Sequence, residues 1–254
     1  MVCSNYNGNC FINLKSKIHF FDVATSSSDL AKQFYFQNYE EFSTCVVKKQ
    51  INGRGRLTRK WHSPAGNLYF STLIKPKYHI KYWPQMSFVA ALAVKSVINK
   101  NIKCNVKFKW PNDIMIDLKK VSGILLEPTD DKKAIIIGIG INLISNPEIK
   151  GSFWKSTNLY DVSGFKLIPE ILSLELLEQI INFVNIWYEQ GFEYIKALWL
   201  ENVLFLKQEL YSTNLKNRVI GKFLGVDDLG QMIIKDKTNN SFNISSGTFI
   251  PINQ

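Results

Sequence analysis

No stretch of this 254-residue chain approaches the roughly 18–20 consecutive apolar residues that span a bilayer, which argues against a membrane-crossing helix. Residues 1–14 are polar, with no basic segment ahead of an apolar one, and do not read as a secretory signal. Cysteine is sparse. Cys3, Cys10, Cys45 and Cys104 lie far apart without C-x-x-C spacing, which argues against a disulfide framework and predicts reduced thiols in a cytoplasmic protein. The three histidines, His19, His62 and His79, form no H-x-x-x-H pair, so a zinc site is not expected. Acidic residues are outnumbered 21 to 31, for a net charge of +10, but no block of five like charges occurs. Lysines scattered in this way predict a generally basic surface, one that favours encounter with an acidic protein over a nucleic-acid stripe.

Arginine is scarcer than the charge suggests. Only four of the 31 basic residues are arginine, and three of them, Arg54, Arg56 and Arg59, fall within six positions. A guanidinium is a planar fork that grips carboxylate or phosphate oxygens with two parallel hydrogen bonds, whereas an ammonium is a point charge. Gly53 and Gly55, beside them, remove side chains where a ligand must approach the backbone. The segment Gly53-Arg54-Gly55-Arg56-Leu57-Thr58-Arg59-Lys60-Trp61 therefore reads as an anion-binding loop.

Periodicity supplies a frame for the loop. Residues 17–23, 42–49 and 67–75 read as strands, with helix-start hydroxyls at 25–28 and a helix continuing over 29–34. Residues 83–100 form the clearest helix, with Trp83, Met86, Ala90, Ala93, Val94 and Val97 on one face. Short strands follow at 106–110, 114–117, 121–127 and 134–143, then a loop over 151–166 and helices over 169–189 and 192–206. Beyond Lys207 the texture changes to strands at 209–212, 219–226, 231–235 and 241–245, with a turn at Asp227-Asp228-Leu229-Gly230. The expected fold is α+β: a mixed, largely antiparallel sheet with helices on one side over residues 1–206, and a small barrel-like unit over 207–254.

Four blocks punctuate this frame: the arginine loop, Lys109-Trp110-Pro111-Asn112-Asp113, Lys120-Val121-Ser122-Gly123-Ile124-Leu125-Leu126-Glu127, and Gly138-Ile139-Gly140-Ile141-Asn142. In this order and spacing they resemble the catalytic core of biotin protein ligases, from about Lys17 to the C-terminus. The resemblance implies a class II synthetase-like (SH2-like) catalytic core, a C-terminal SH3-like β-barrel, and attachment of biotin to a lysine of a biotin carboxyl carrier domain. ATP would be consumed through biotinyl-5′-AMP, with Mg²⁺ as cofactor. Relatives that also act as repressors carry a winged helix-turn-helix ahead of the first strand; with 16 residues before Lys17, a monofunctional enzyme that binds no DNA is expected. Family members pair through an edge strand, so the resemblance also allows a homodimer.

Carried onto this sequence, the resemblance implies Arg54, Lys120 and Asp113 as catalytic residues. Arg54 would lie at the carboxylate and α-phosphate, Lys120 would reach the same atoms, with Lys119 as the competing assignment, and Asp113 would orient that lysine or hold Mg²⁺. Biotin would meet Ser26, Ser27, Ser28, Gln50, Arg54, Gly55, Arg56, Lys120 and Gly123. ATP and the adenylate would meet Arg56, Arg59, Trp61, Ser63 and Asn142. Thr58 replaces a glycine common in relatives and is expected to stiffen the loop; Trp110 is expected to pack. Two other readings stay open: a lipoate–protein ligase or lipoyl transferase of the same fold, and a non-catalytic basic binding protein.

Overall fold

The computed structural model describes residues 14–57, 59–147, 153–213 and 219–252; Thr58, Cys3 and Cys10 lie outside them. A seven-stranded sheet is built from β1 (Ile18–Ala24), β2 (Thr44–Gln50), β3 (Leu68–Ile74), β4 (Val106–Lys109), β5 (Asp113–Ile116), β6 (Lys119–Pro128) and β7 (Ile135–Ile141), in the order β1-β2-β3-β7-β6-β5-β4. Only β1 and β2 are parallel. Their connection carries the helix α1 (Ser27–Phe36), as a parallel pair requires a crossover, while short connections join β4 to β5, β5 to β6 and β6 to β7, and the arginine loop lies between β2 and β3.

Alternation along the central strands sorts the two faces. On β7, Ile135, Ile137, Ile139 and Ile141 enter the main core with Leu68, Phe70 and Ile74 of β3, against the long helices α2 (Met86–Asn101) and α4 (Pro169–Leu200). The opposite face carries Gly138 and Gly140, and there α1 packs Ala31 and Phe34 on Cys45, Leu73 and Ile136. The long helices thus share one side, as expected. The short α1 lies on the other, because β1 must cross over to β2 somewhere and that face has glycines to spare.

The helix expected from residue 83 begins as a 3-10 turn, Ile80–Gln85, containing Pro84, and becomes α-helical at Met86. Every side chain from Met86 to Val94 is buried, which exceeds the single apolar face read from the sequence. The excess arises because α4 packs along α2 on the side away from the sheet, with Phe88 also abutting Gly230. The fold also holds a short helix, α3 (Leu159–Ser163), within the stretch expected to be loop; Asn158 caps it by accepting from the Asp161 amide at 2.8 Å, and Gly164 ends it at φ 75°. The two helices expected over 169–189 and 192–206 are present as the two halves of α4, separated by a non-helical Gly191, and the second stops at Leu200, short of the expected end.

The second sheet comprises β8 (Glu209–Ser212), β9 (Ile220–Val226), β10 (Met232–Lys235), β11 (Ser241–Ile244) and β12 (Phe249–Pro251), ordered β11-β10-β9-β8-β12 and antiparallel throughout. Among the described residues it is an open sheet with β11 and β12 as edges, where a closed barrel was expected. Its Leu210, Phe223, Met232 and Phe249 join the same core as the first sheet. Two buried side chains tie it down: Trp110 Nε1 donates to the Gly230 carbonyl at 3.0 Å, and Gln85 donates to the Asp228 carbonyl while accepting from Trp187 Nε1. Among the described residues no helix is long and apolar enough to cross a membrane.

Candidate active site

A cavity of about 740 Å³ opens on the glycine-bearing face of the first sheet. Gly123 of β6 pairs with Gly140 of β7, and Leu125 with Gly138, so the missing side chains form its floor. The ends of α1, β2 and the arginine loop, the start of β6, the segment 153–156, and Thr213, Gly247, Thr248 and Ile250 of the second sheet complete the walls.

One end is neutral and hydroxyl-rich. Ser26 is the N-cap of α1, its Oγ accepting from the Asp29 amide at 3.1 Å. The amide and hydroxyl of Ser27 donate to Gln50 Oε1 at 2.7 and 3.1 Å, and Ser71 Oγ lies 2.8 Å from Ser27 Oγ and 3.1 Å from Ser28 Oγ. Gln50 Nε2 donates to Ser63 Oγ at 2.8 Å, and that hydroxyl donates on to the Trp61 carbonyl. Ser63 therefore stands behind Gln50 and does not line the cavity, contrary to the expectation that it meets adenine: its hydroxyl is spent on fixing the glutamine. Ser71 was missed. Its place on β3, two residues from Tyr69 on the alternating face, was the available signal.

The arginine loop is a small hairpin. Arg54 bridges Lys60, the Gly55 amide donates to the Arg59 carbonyl at 2.7 Å, and the Trp61 amide donates to the Gly53 carbonyl at 2.9 Å. Gly53 is required by this hairpin and not by a ligand, for a Cβ there would sit 2.5 Å from Ser63 Oγ and the Trp61 carbonyl. Gly55 does line the cavity.

The three guanidinium groups differ. Arg54, expected to meet an anion directly, is forked onto Asp29 at 3.1 and 2.7 Å and onto Glu127 at 3.2 and 3.3 Å, so its charge is already neutralised. Arg56 lines the cavity and, among the described residues, has no carboxylate within ion-pair distance. Burial lowers its pKa from the ordinary value; Arg59 adds to this and Asp113 opposes it. Arg59 is exposed at the rim, 3.5 Å from Thr248 Oγ1.

Opposite lies a charge bridge. Asp113 Oδ1 is 2.5 Å from Lys120 Nζ, and Asp113 Oδ2 is 3.0 Å from the Nζ of Lys109, a lysine only 7% exposed. Burial alone would raise the Asp113 pKa, but the two ammonium groups, Lys120 foremost, hold it well below the usual carboxylate range. Lys119 points to solvent, which separates it from Lys120. Lys109 was not singled out in the sequence, although its i, i+4 spacing to Asp113 was visible.

Trp61 covers the floor: a Cβ on Gly140 would lie 2.5 Å from its indole, and Lys120 Nζ sits 5.1 Å from the ring centre. Among the described residues, Trp61 Nε1 as donor and Asn142 Oδ1 as acceptor are buried at the cavity without a hydrogen-bond partner, while Asn142 Nδ2 is held by the Thr157 carbonyl. Buried groups of this kind ordinarily find partners, so an orphaned pair at a cavity points to a polar ligand. Trp110, by contrast, is buried under the second sheet, as expected.

Residues 20–142 match the biotin/lipoate A/B protein ligase family. The chain is 32% identical over 223 residues to the bifunctional ligase/repressor BirA of Bacillus subtilis, covering 84% of this chain and 68% of that one. It is 29% identical over 204 residues to the biotin–[acetyl-CoA-carboxylase] ligase of Paracoccus denitrificans, covering 75% and 82%. Among solved structures, the biotin protein ligase of Aquifex aeolicus in complex with biotin and ATP superposes with a TM-score of 0.80 at 28% identity, over 92% of this chain and 97% of that one.

Proposed function

Because the chain belongs to the biotin protein ligases, we propose that its cavity holds biotin at the serine end and ATP along the arginine and lysine wall. The enzyme attaches biotin to protein at the expense of ATP. Biotin's carboxylate attacks the α-phosphorus, forming biotinyl-5′-AMP and releasing pyrophosphate. A lysine amine then attacks the acyl carbon and AMP departs. The observation that carries the residue assignment is positive charge held at the cavity: Arg56, with no carboxylate at ion-pair distance among the described residues, faces a wall that presents Lys120.

The first step sets two anions against each other, and fixed cations in a water-poor site lower that barrier without having to reorient. Lys120 and Arg56 straddle the carboxylate and the α-phosphate in this reading. Lys109 fixes Asp113, and Asp113 in turn fixes Lys120. An uncharged ureido ring calls for neutral donors and acceptors, which Ser27, Ser28 and Gln50 supply over the Gly123 and Gly138 floor. Adenine stacks on Trp61 and donates its amino group to Asn142 Oδ1, whose lack of a partner supports this placement. Arg59 at the rim neutralises the outer phosphates. An acyl-adenylate hydrolyses in water, so the loop tip around Leu57, exposed and at φ 54°, has to fold over it.

Asp113 does not fit a magnesium ligand. Both its oxygens face ammonium groups, whose protons oppose a second cation. Among the described residues no group of three His, Cys, Asp or Glu side chains converges on a metal position. The acceptor in this reading is a lysine of a biotin carboxyl carrier domain, and the net charge of +10 suits an acidic partner.

Incubation with ATP, Mg²⁺ and either biotin or lipoate tests the assignment. Biotin-dependent pyrophosphate release is expected, with Arg56→Gln reducing kcat/KM by on the order of 100-fold, the scale of losing one transition-state charge contact. Release with lipoate and none with biotin would overturn it.

A further inference from the structure

Arg54 belongs to a four-charge cluster that no part of the reaction uses. Its guanidinium takes both oxygens of Asp29, in the first turn of α1, and reaches Glu127 on β6, which also lies 3.6 Å from Lys32. Two cations and two carboxylates sum to zero, so the cluster offers an incoming anion no net attraction. A bidentate fork of this kind supplies orientation instead. Burial would raise the Asp29 carboxyl, but the hydrogen bonds from Arg54 and Ser26 and the charges of Arg54 and Lys32 together hold it below the ordinary value.

The backbone around the cluster is fixed at the same place. The amides of Ile51 and Asn52 donate to the carbonyls of Ala24 and Thr25, both at 2.9 Å, and so carry the β1–β2 pairing past the strand ends. The three residues after Thr25 are Ser26, Ser27 and Ser28, which line the neutral end of the cavity. Asp29 follows directly and is the residue that Ser26 caps. A force on Asp29 is therefore a force on the serines.

We propose that Arg54 is a positioning residue, clamping the root of the arginine loop to the first turn of α1 through Asp29 and Glu127, so that the loop and the serine end of the cavity hold one fixed relation. Asp29 and Glu127 are then working members of the site although neither lines it. The moving part of the loop begins at Gly55, beyond the clamp. This inference rests on the reading of the serine end as the seat of the acid substrate.

The test compares Arg54→Gln, Asp29→Asn and the double variant. These substitutions are nearly isosteric or partly exposed, so the fold tolerates them. If Arg54 acts through Asp29, each single variant raises the KM for biotin by about tenfold with kcat and the KM for ATP within about twofold, and the double variant is no worse than either. A loss of kcat confined to Arg54→Gln, with Asp29→Asn behaving as wild type, would make Arg54 a direct anion contact and sink the clamp. Hydrogen exchange gives a second readout that needs no turnover. Asp29→Asn should speed amide exchange at residues 54–61 as well as in the first turn of α1; acceleration limited to α1 counts against the clamp. Should wild-type enzyme show no biotin-dependent pyrophosphate release, the substrate reading fails while the exchange result still decides the clamp.

Discussion

Charge decides most at the scale of single residues. Asp113→Asn removes the anion between two ammonium groups and leaves Lys109, almost wholly buried, without a counter-charge. Breaking a buried pair from one side typically costs about 3–5 kcal/mol, so urea denaturation should show a loss of that order. The pH dependence has a definite sign. The Asp113 pKa is depressed in the folded state, so its contribution is complete above the ordinary carboxylate pKa of about 3.9 and is lost as pH falls further. Melting temperature should therefore fall less steeply below about pH 4 in Asp113→Asn than in wild type; parallel acid limbs would refute the pairing. Gly140→Ala places a methyl group 2.5 Å from the Trp61 indole, which must move. The KM for ATP should rise about tenfold with the KM for biotin little changed, and equal effects on both would remove Trp61 from the adenine end.

Elements show where periodicity suffices and where it does not. The Ile-Gly alternation of β7 announces two unlike faces, and the structure packs the isoleucines on α2 and α4 and leaves the glycines as cavity floor. The short α3 had a readable asparagine cap and glycine stop, yet five residues give too little periodicity to register. The break in α4 was legible as two helices because Gly191 separates two apolar patterns, and it adopts φ 76°, ψ 176° with open space around it. That backbone region is essentially reserved for glycine, so Gly191→Ala should cost about 1–3 kcal/mol through strain alone. An unchanged or raised denaturation midpoint would mean the helix runs straight once the glycine is gone.

Across the whole molecule, the two sheets share a core. Phe88 of α2 meets Trp199 and Phe192 of α4 edge-on and abuts Gly230 in the turn between β9 and β10. Trp110→Phe keeps the aromatic body against Phe249 but leaves the Gly230 carbonyl without its indole donor. The expected loss is about 1–3 kcal/mol, the penalty for an unsatisfied buried acceptor. Because both sheets draw on one core, tryptophan fluorescence and far-UV circular dichroism should report one coincident unfolding transition. Two separated transitions would show that the second sheet melts independently. The cavity also spans this junction, since Thr213 and Thr248 line it beside Arg59; that was not legible beforehand, because contacts so distant along the chain leave no local pattern.

Sequence alone determined the short-range features: which segments alternate, where the hydroxyls start α1, and that three of the four arginines crowd into one loop. These follow from side-chain identity and a period of two or 3.6 residues. Tertiary structure decided which cations stay free. Arg54 and Arg56 stand two residues apart in one loop, and nothing local distinguishes them. One meets carboxylates brought from α1 and β6, and the other faces the cavity with no carboxylate at ion-pair distance among the described residues. Charge compensation is a matter of distance in space, and only the fold sets that distance.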